Sequence, residues 1–141
     1  MPGRSILIVE DDAASADVFV SILTDYGCDV RVAADADEAM CEIERRAPAA
    51  LLIDLHLATG DGIEFVRRLR AGGYADVPAA IMTADYLVDD RVTDVLRALG
   101  VPLYFKPLWE EDLVGIMSTL LPPAGEFPDV RGKFHPSPDA P

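Results

Sequence analysis

"ILIVEDDAAS", residues 6–15, carries both the fold and the chemistry of this chain. Ile6, Leu7, Ile8 and Val9 are apolar without alternation, which marks a short strand buried on both faces. Glu10, Asp11 and Asp12 follow at once. Neighbouring carboxylates repel, and the repulsion grows as water is withdrawn from around them. Asp12 is accounted for as the N-cap of a following helix, since a short acid accepts the free N–H groups of a first turn. The other two acids call for a cation from elsewhere.

The same apolar grammar recurs along the chain. Candidate strands are Ser5–Val9, Asp29–Ala33, Ala50–Ile53, Ala79–Met82 and Pro102–Phe105. Between them, apolar residues fall three or four apart: Val18, Ile22 and Tyr26; Ala39, Ile43 and Ala47; Ile63, Val66 and Leu69; Val92, Val95 and Leu99; Leu113, Met117 and Leu120. Gly27, Pro48, Gly72, Gly73, Pro78 and Gly100 punctuate the series. Five strand-helix units in succession predict an α/β fold, because parallel strands need crossover helices that then cover both faces of the sheet. Trp109 is expected on the same core-facing stripe as Met117 and Leu120.

A chain of 141 residues accommodates one domain with a full core. The ordered domain is expected over residues 1–121. From Pro122 the pattern stops: "PPAGEFPDVRGKFHPSPDAP" holds six prolines in 20 residues, and 122–141 is read as a flexible tail in which Phe127, Phe134 and His135 are solvated. No apolar run reaches the 18 or so residues of a membrane span, so no membrane insertion is expected. No secretory or transit pattern precedes the first strand, and the protein is expected to be cytoplasmic. Twelve Lys and Arg against 25 Asp and Glu leave a net charge of −13, the wrong sign for direct nucleic-acid binding. Cys28 and Cys41 lack metal-ligand spacing and are read as reduced packing residues.

In open α/β sheets ligands bind at the carboxyl ends of the strands. Those ends carry Glu10 and Asp11 after the first strand, Asp54 after the third, Thr83 after the fourth and Lys106, followed by Pro107, after the fifth. Hard carboxylate oxygens suit Mg²⁺, which takes few protein ligands and completes its shell with water and phosphate. A threonine hydroxyl and a lysine ammonium suit phosphoryl oxygens. The chemistry suggested is phosphoryl transfer to a carboxylate.

The segments "ILIVEDD", "LLIDLHLATGDG", "AAIMTAD" and "YFKPL" stand in an order and spacing that resembles the receiver domain of bacterial two-component response regulators, over about residues 4–121. The resemblance implies a doubly wound five-stranded parallel sheet, in flavodoxin-like order 2-1-3-4-5. It implies that Asp54 is the phosphoacceptor, that Asp11 ligates Mg²⁺ with Asp54, that Glu10 acts largely through water, and that the His56 backbone carbonyl completes the protein ligands. Thr83 and Lys106 would bind the phosphoryl oxygens, with a cis Lys106–Pro107 peptide, and Gly62 matches the family glycine beyond the phosphoacceptor. The donor would be a histidine kinase or histidine phosphotransfer protein. Thr83 would act as a switch, and a downstream protein would read the face of the fourth helix, fifth strand and fifth helix, with room for a homodimer. Such a protein is no turnover enzyme, although it would catalyse its own phosphorylation and dephosphorylation at Asp54.

Some positions depart from the family pattern. The aromatic switch usually stands three residues before the lysine, where this chain has Leu103; Tyr104 lies one nearer and on the opposite face, so the switch is Leu103 or Tyr104. Ala58 stands where proline is common, and His56 and Asp85 occupy variable positions. The His56 side chain is expected to be exposed, and "ERR" at 44–46 and "RRLR" at 67–70 are read as forming exposed helix faces. The leading expectation is a stand-alone receiver. Its alternatives are a receiver fragment of a hybrid histidine kinase, a degenerate receiver that binds partners without phosphorylation, and a Mg²⁺-dependent hydrolase, which lacks an acid two residues after Asp54.

Overall fold

The computed structural model describes residues 4–57 and 60–121. Ala58, Phe127, Phe134, His135 and the 122–141 tail therefore lie outside the described residues. Five strands, β1 (Ser5–Val9), β2 (Asp29–Ala33), β3 (Ala50–Asp54), β4 (Ala79–Thr83) and β5 (Leu103–Phe105), form one parallel sheet in the order β2-β1-β3-β4-β5. Five helices alternate with them: α1 (Ala13–Asp25), α2 (Ala36–Arg45), α3 (Gly62–Ala71), α4 (Asp90–Leu99) and α5 (Glu110–Leu120). The α/β class and the strand order are those expected. One addition was not anticipated: His56–Leu57 and Gly60–Asp61 pair as a small antiparallel ribbon between β3 and α3.

Side-chain alternation along the central strands divides the core. Leu7 and Val9 of β1, Leu51 and Ile53 of β3, and Ile81 of β4 meet Ile43 of α2, Phe65 and Leu69 of α3 and Leu96 of α4. Ile6 and Ile8, Leu52, and Met82 meet Phe19 and Leu23 of α1 and Leu113, Ile116 and Met117 of α5. Both faces of β1, β3 and β4 are thereby buried, which is why their sequences do not alternate with polar residues.

Four packing expectations are corrected. The buried stripe of α1 is Ala16, Phe19 and Leu23, whereas Val18 is half exposed; the helix has apolar residues on more than one side, and the sheet selects the broader one. Trp109 sits before the first turn of α5 and is 65% exposed, so it belongs to no core stripe. Cys28 is a buried packing residue as expected, but Cys41 is exposed on α2. Ala47 falls beyond α2, which stops at Arg45 ahead of Pro48; a proline disfavours helical backbone in the residue before it.

Candidate functional site

Asp12 caps α1, accepting hydrogen bonds from the Ser15 backbone N–H at 3.2 Å and hydroxyl at 2.6 Å. These bonds, the hydroxyl's first, hold its carboxyl below the usual range. Its carboxylate is thus engaged within the helix cap.

Those two acids meet residues brought from far along the chain. Parallel register places Val9 beside Ile53, Asp54 beside Met82 and Thr83 beside Phe105, so the ends of four strands lie along one edge. The ladders continue one residue further through Leu55 N–H to Met82 O at 2.8 Å and Lys106 N–H to Thr83 O at 2.7 Å. Glu10, Asp11 and Asp54 consequently offer carboxylate oxygens all within 4.8 Å of one another. Lys106 Nζ reaches Glu10 Oε1 at 2.6 Å and Asp54 Oδ2 at 3.2 Å.

The site is graded from interior to solvent. Glu10 and Asp54 are buried, Lys106 is intermediate and Asp11 is exposed. Burial, and then the Asp54 carboxylate beside it, push the Glu10 carboxyl up to about 7 against the opposing pull of Lys106. Burial acts to lower the Lys106 ammonium, but its pairing with Glu10 and Asp54 prevails and raises it. The second oxygen of Asp54 accepts the His56 backbone N–H at 3.1 Å, so the carboxylate is oriented from both sides. Thr83 is fully buried, and its hydroxyl oxygen accepts the Asp85 N–H at 3.0 Å.

Gly62, the first residue of α3, packs over the backbone of Asp54. A Cβ there would lie 2.7 Å from the Asp54 carbonyl oxygen and 2.9 Å from Ile81 Cδ1. Only glycine permits that approach. The Lys106–Pro107 peptide is cis, as expected.

A sequence model of the response regulator receiver domain matches residues 6–117. The chain belongs to the response regulator receiver domain family. The receiver is 35% identical over 119 residues to the transcriptional regulatory protein TrcR of Mycobacterium tuberculosis, covering 82% of this chain and 44% of that protein. It is 35% identical over 122 residues to the response regulator MprA of Mycobacterium sp. strain KMS, covering 86% and 51%. The chain thus spans about half the length of the curated relatives it matches. Among solved structures, the CheY-like response regulator receiver domain protein of Methanospirillum hungatei superposes with a TM-score of 0.76 at 25% identity, covering 82% of this chain and 91% of that one. The chemotaxis protein CheY4 of Vibrio cholerae shares the fold, with a TM-score of 0.76 at 23% identity and coverage of 84% and 98%.

In this receiver Glu10, Asp11, Asp54 and Lys106 come together at the one edge, with Thr83 at the end of the neighbouring strand. The His56 ring is exposed, with Nε2 3.7 Å from Asp85 Oδ2, and only its backbone turns to Asp54. Leu103 packs with the α2, α3 and α4 core and Tyr104 with the α1 and α5 core. Sequence reading missed Tyr86. Its ring stacks on Phe105, centroids 5.5 Å apart, and its hydroxyl donates to the Lys106 carbonyl oxygen. An unstriped aromatic three residues after the strand-end Thr83 was the available signal. Tyr86 and Lys106 also line an apolar groove of ≈ 540 Å³ with Val18, Ile22 and Trp109.

Glu10, Asp11 and Asp54 carry −3 and Lys106 carries +1, leaving −2 when all are ionised. A set of hard oxygen donors with that excess fits a divalent cation such as Mg²⁺.

Proposed function

We propose that Asp54 is the phosphoacceptor of a two-component signalling pathway, receiving its phosphoryl group from a histidine kinase or histidine phosphotransfer protein. The observation that carries this reading is the convergence of Lys106 on Asp54 at 3.2 Å inside the acidic cluster, with the other Asp54 oxygen fixed by the His56 N–H. An Asp54 oxygen attacks phosphorus in line, the O–P bond forms, and the P–N bond to the donor imidazole breaks with its electron pair returning to nitrogen. Hydrolysis reverses the state: water attacks phosphorus and releases inorganic phosphate from the restored carboxylate.

Asp54 needs no base, because its carboxylate is already the nucleophile. Lys106 neutralises charge on the transferring group, and Thr83 turns its hydroxyl toward a phosphoryl oxygen. Asp11, Asp54, the His56 carbonyl and, largely through water, Glu10 would hold Mg²⁺, which supplies further charge neutralisation when bound. Thr83, in moving, releases the Asp85 N–H and biases the surface of α4, β5 and α5 toward a downstream protein. The receiver over residues 1–121 is the switching unit.

The test is intact mass after incubation with Mg²⁺ and acetyl phosphate, run beside Asp54→Asn and an EDTA control. A single Mg²⁺-dependent phosphoryl adduct, absent from Asp54→Asn, is expected. No adduct together with no Mg²⁺-dependent beryllofluoride binding overturns the reading in favour of phosphorylation-independent partner binding.

A further inference from the structure

Lys106 is held by more than its ammonium. Its N–H bonds the Thr83 carbonyl at 2.7 Å, and its own carbonyl accepts the Tyr86 hydroxyl from the β4–α4 loop. Tyr86 lies three residues beyond Thr83, whose hydroxyl oxygen accepts the intervening Asp85 N–H. The Asp85 carboxylate accepts the Leu87 N–H at 2.9 Å and shapes the same turn. The Tyr86 ring stacks on Phe105, with an interplanar angle of 16°, immediately before the lysine. A closed circuit of contacts therefore runs from Thr83 through the loop to Tyr86, across to Phe105 and Lys106, and back to Thr83.

Burial does not explain the arrangement. Tyr86 is 65% exposed and Phe105 43% exposed, so the pair contributes little to the core. Leu103 and Tyr104 are committed to the two opposite cores and cannot hold the lysine turn from outside. Tyr86 touches none of the three carboxylates, so its action on the site passes through Lys106.

We infer that Tyr86 is a positioning residue for phosphoryl transfer, tying the Thr83 loop to the Lys106 turn so that the two phosphoryl-binding side chains are set as one unit. This rests on the phosphoacceptor reading of Asp54. Losing the hydroxyl frees the Lys106 carbonyl and lets the ammonium sample geometries away from Asp54. Because Tyr86 meets no donor atom, its loss lowers the maximal rate rather than donor binding.

The experiment is the acetyl phosphate dependence of Asp54 phosphorylation in Mg²⁺, followed by intact mass, for wild type, Tyr86→Phe and Tyr86→Ala. Tyr86→Phe keeps the stack and should lower the saturating rate about threefold, the reach of one exposed hydrogen bond, with half-saturation unchanged. Tyr86→Ala, which loses the stack as well, should fall further, by about tenfold. In a Lys106→Ala background either substitution should add nothing, because the residues act in series. Equal saturating rates in wild type and Tyr86→Phe, or full additivity with Lys106→Ala, overturn the inference and leave the phosphoacceptor reading standing. No adduct on wild type overturns both.

Discussion

Raising the pH of the metal-free protein from about 5 to about 8 should destabilise it, and Glu10 sets the size of the fall. Burial first, and the Asp54 carboxylate next, push its carboxyl up to about 7 from an ordinary value of 4.5. For a carboxyl raised on folding, the stabilising contribution is complete below the unfolded value and disappears as pH passes the folded one. Integrating between those limits gives a loss of about 2–3 kcal/mol over this window. Urea denaturation in EDTA at several pH values measures it. Glu10→Gln should abolish this component. Asp54→Asn, which removes the neighbouring charge but not the burial, should reduce it. Saturating Mg²⁺ should flatten it in wild type, because a cation among the carboxylates takes the place of the proton. A metal-free stability that is level or rising over the window in wild type, or the same fall in Glu10→Gln, would refute the coupling of Glu10 to this cluster.

The apparent Mg²⁺ affinity, read by titration of thermal stability, should weaken by up to about tenfold for each pH unit below about 7 as protonated Glu10 opposes the ion. Lys106→Ala should slow phosphorylation by acetyl phosphate by roughly a hundredfold, measured by intact mass, because it removes the cation 3.2 Å from Asp54. Gly62→Ala should cost about 1–3 kcal/mol in urea, since the new methyl lies 2.7 Å from a backbone oxygen that cannot retreat without moving Asp54. Phe65→Ala, deleting a ring buried between sheet and helices, should cost about 3–5 kcal/mol while leaving the Glu10 pH dependence in place.

The sheet was legible because burial on both faces suppresses polar alternation, leaving runs such as Leu51–Leu52–Ile53 that only a central strand accommodates. The site was legible for a related reason: polar residues at the ends of such runs must converge on one edge once the strands are parallel and in register. Helix faces were less so. In α1, Val18 and Ile22 have the same spacing as a core stripe, yet the sheet takes Phe19 and Leu23, and only the packed structure decides between them. Trp109 looked like core because it is large and apolar, but its place before the first turn of α5 puts it outside the helical register. Tyr86 was missed because a stack and one hydroxyl bond across 20 residues of chain leave no periodic trace, and its place three residues after Thr83 was the only mark it left.

The three acids of the opening run therefore have three different physical fates. Asp12 is spent locally, on the N–H and hydroxyl of Ser15. Glu10 is buried and shares Lys106 with Asp54, so its charge is balanced within the protein only in part and its carboxyl rises to meet neutral pH. Asp11 stays at the surface, where water can supply or remove an ion without opening the core. The cluster is thus balanced to lie one cation short of neutrality. Three ionised carboxylates and one ammonium leave −2, a dication would cancel it, and on the proposed reading a phosphoryl dianion on Asp54 would take the site to −1. On that reading the residual charge would appear beside the buried Thr83, whose hydroxyl oxygen now accepts the Asp85 N–H, and would give that hydroxyl a competing partner. On the phosphoacceptor reading proposed for Asp54, the repulsion among acids placed together is what would make the site responsive to phosphorylation.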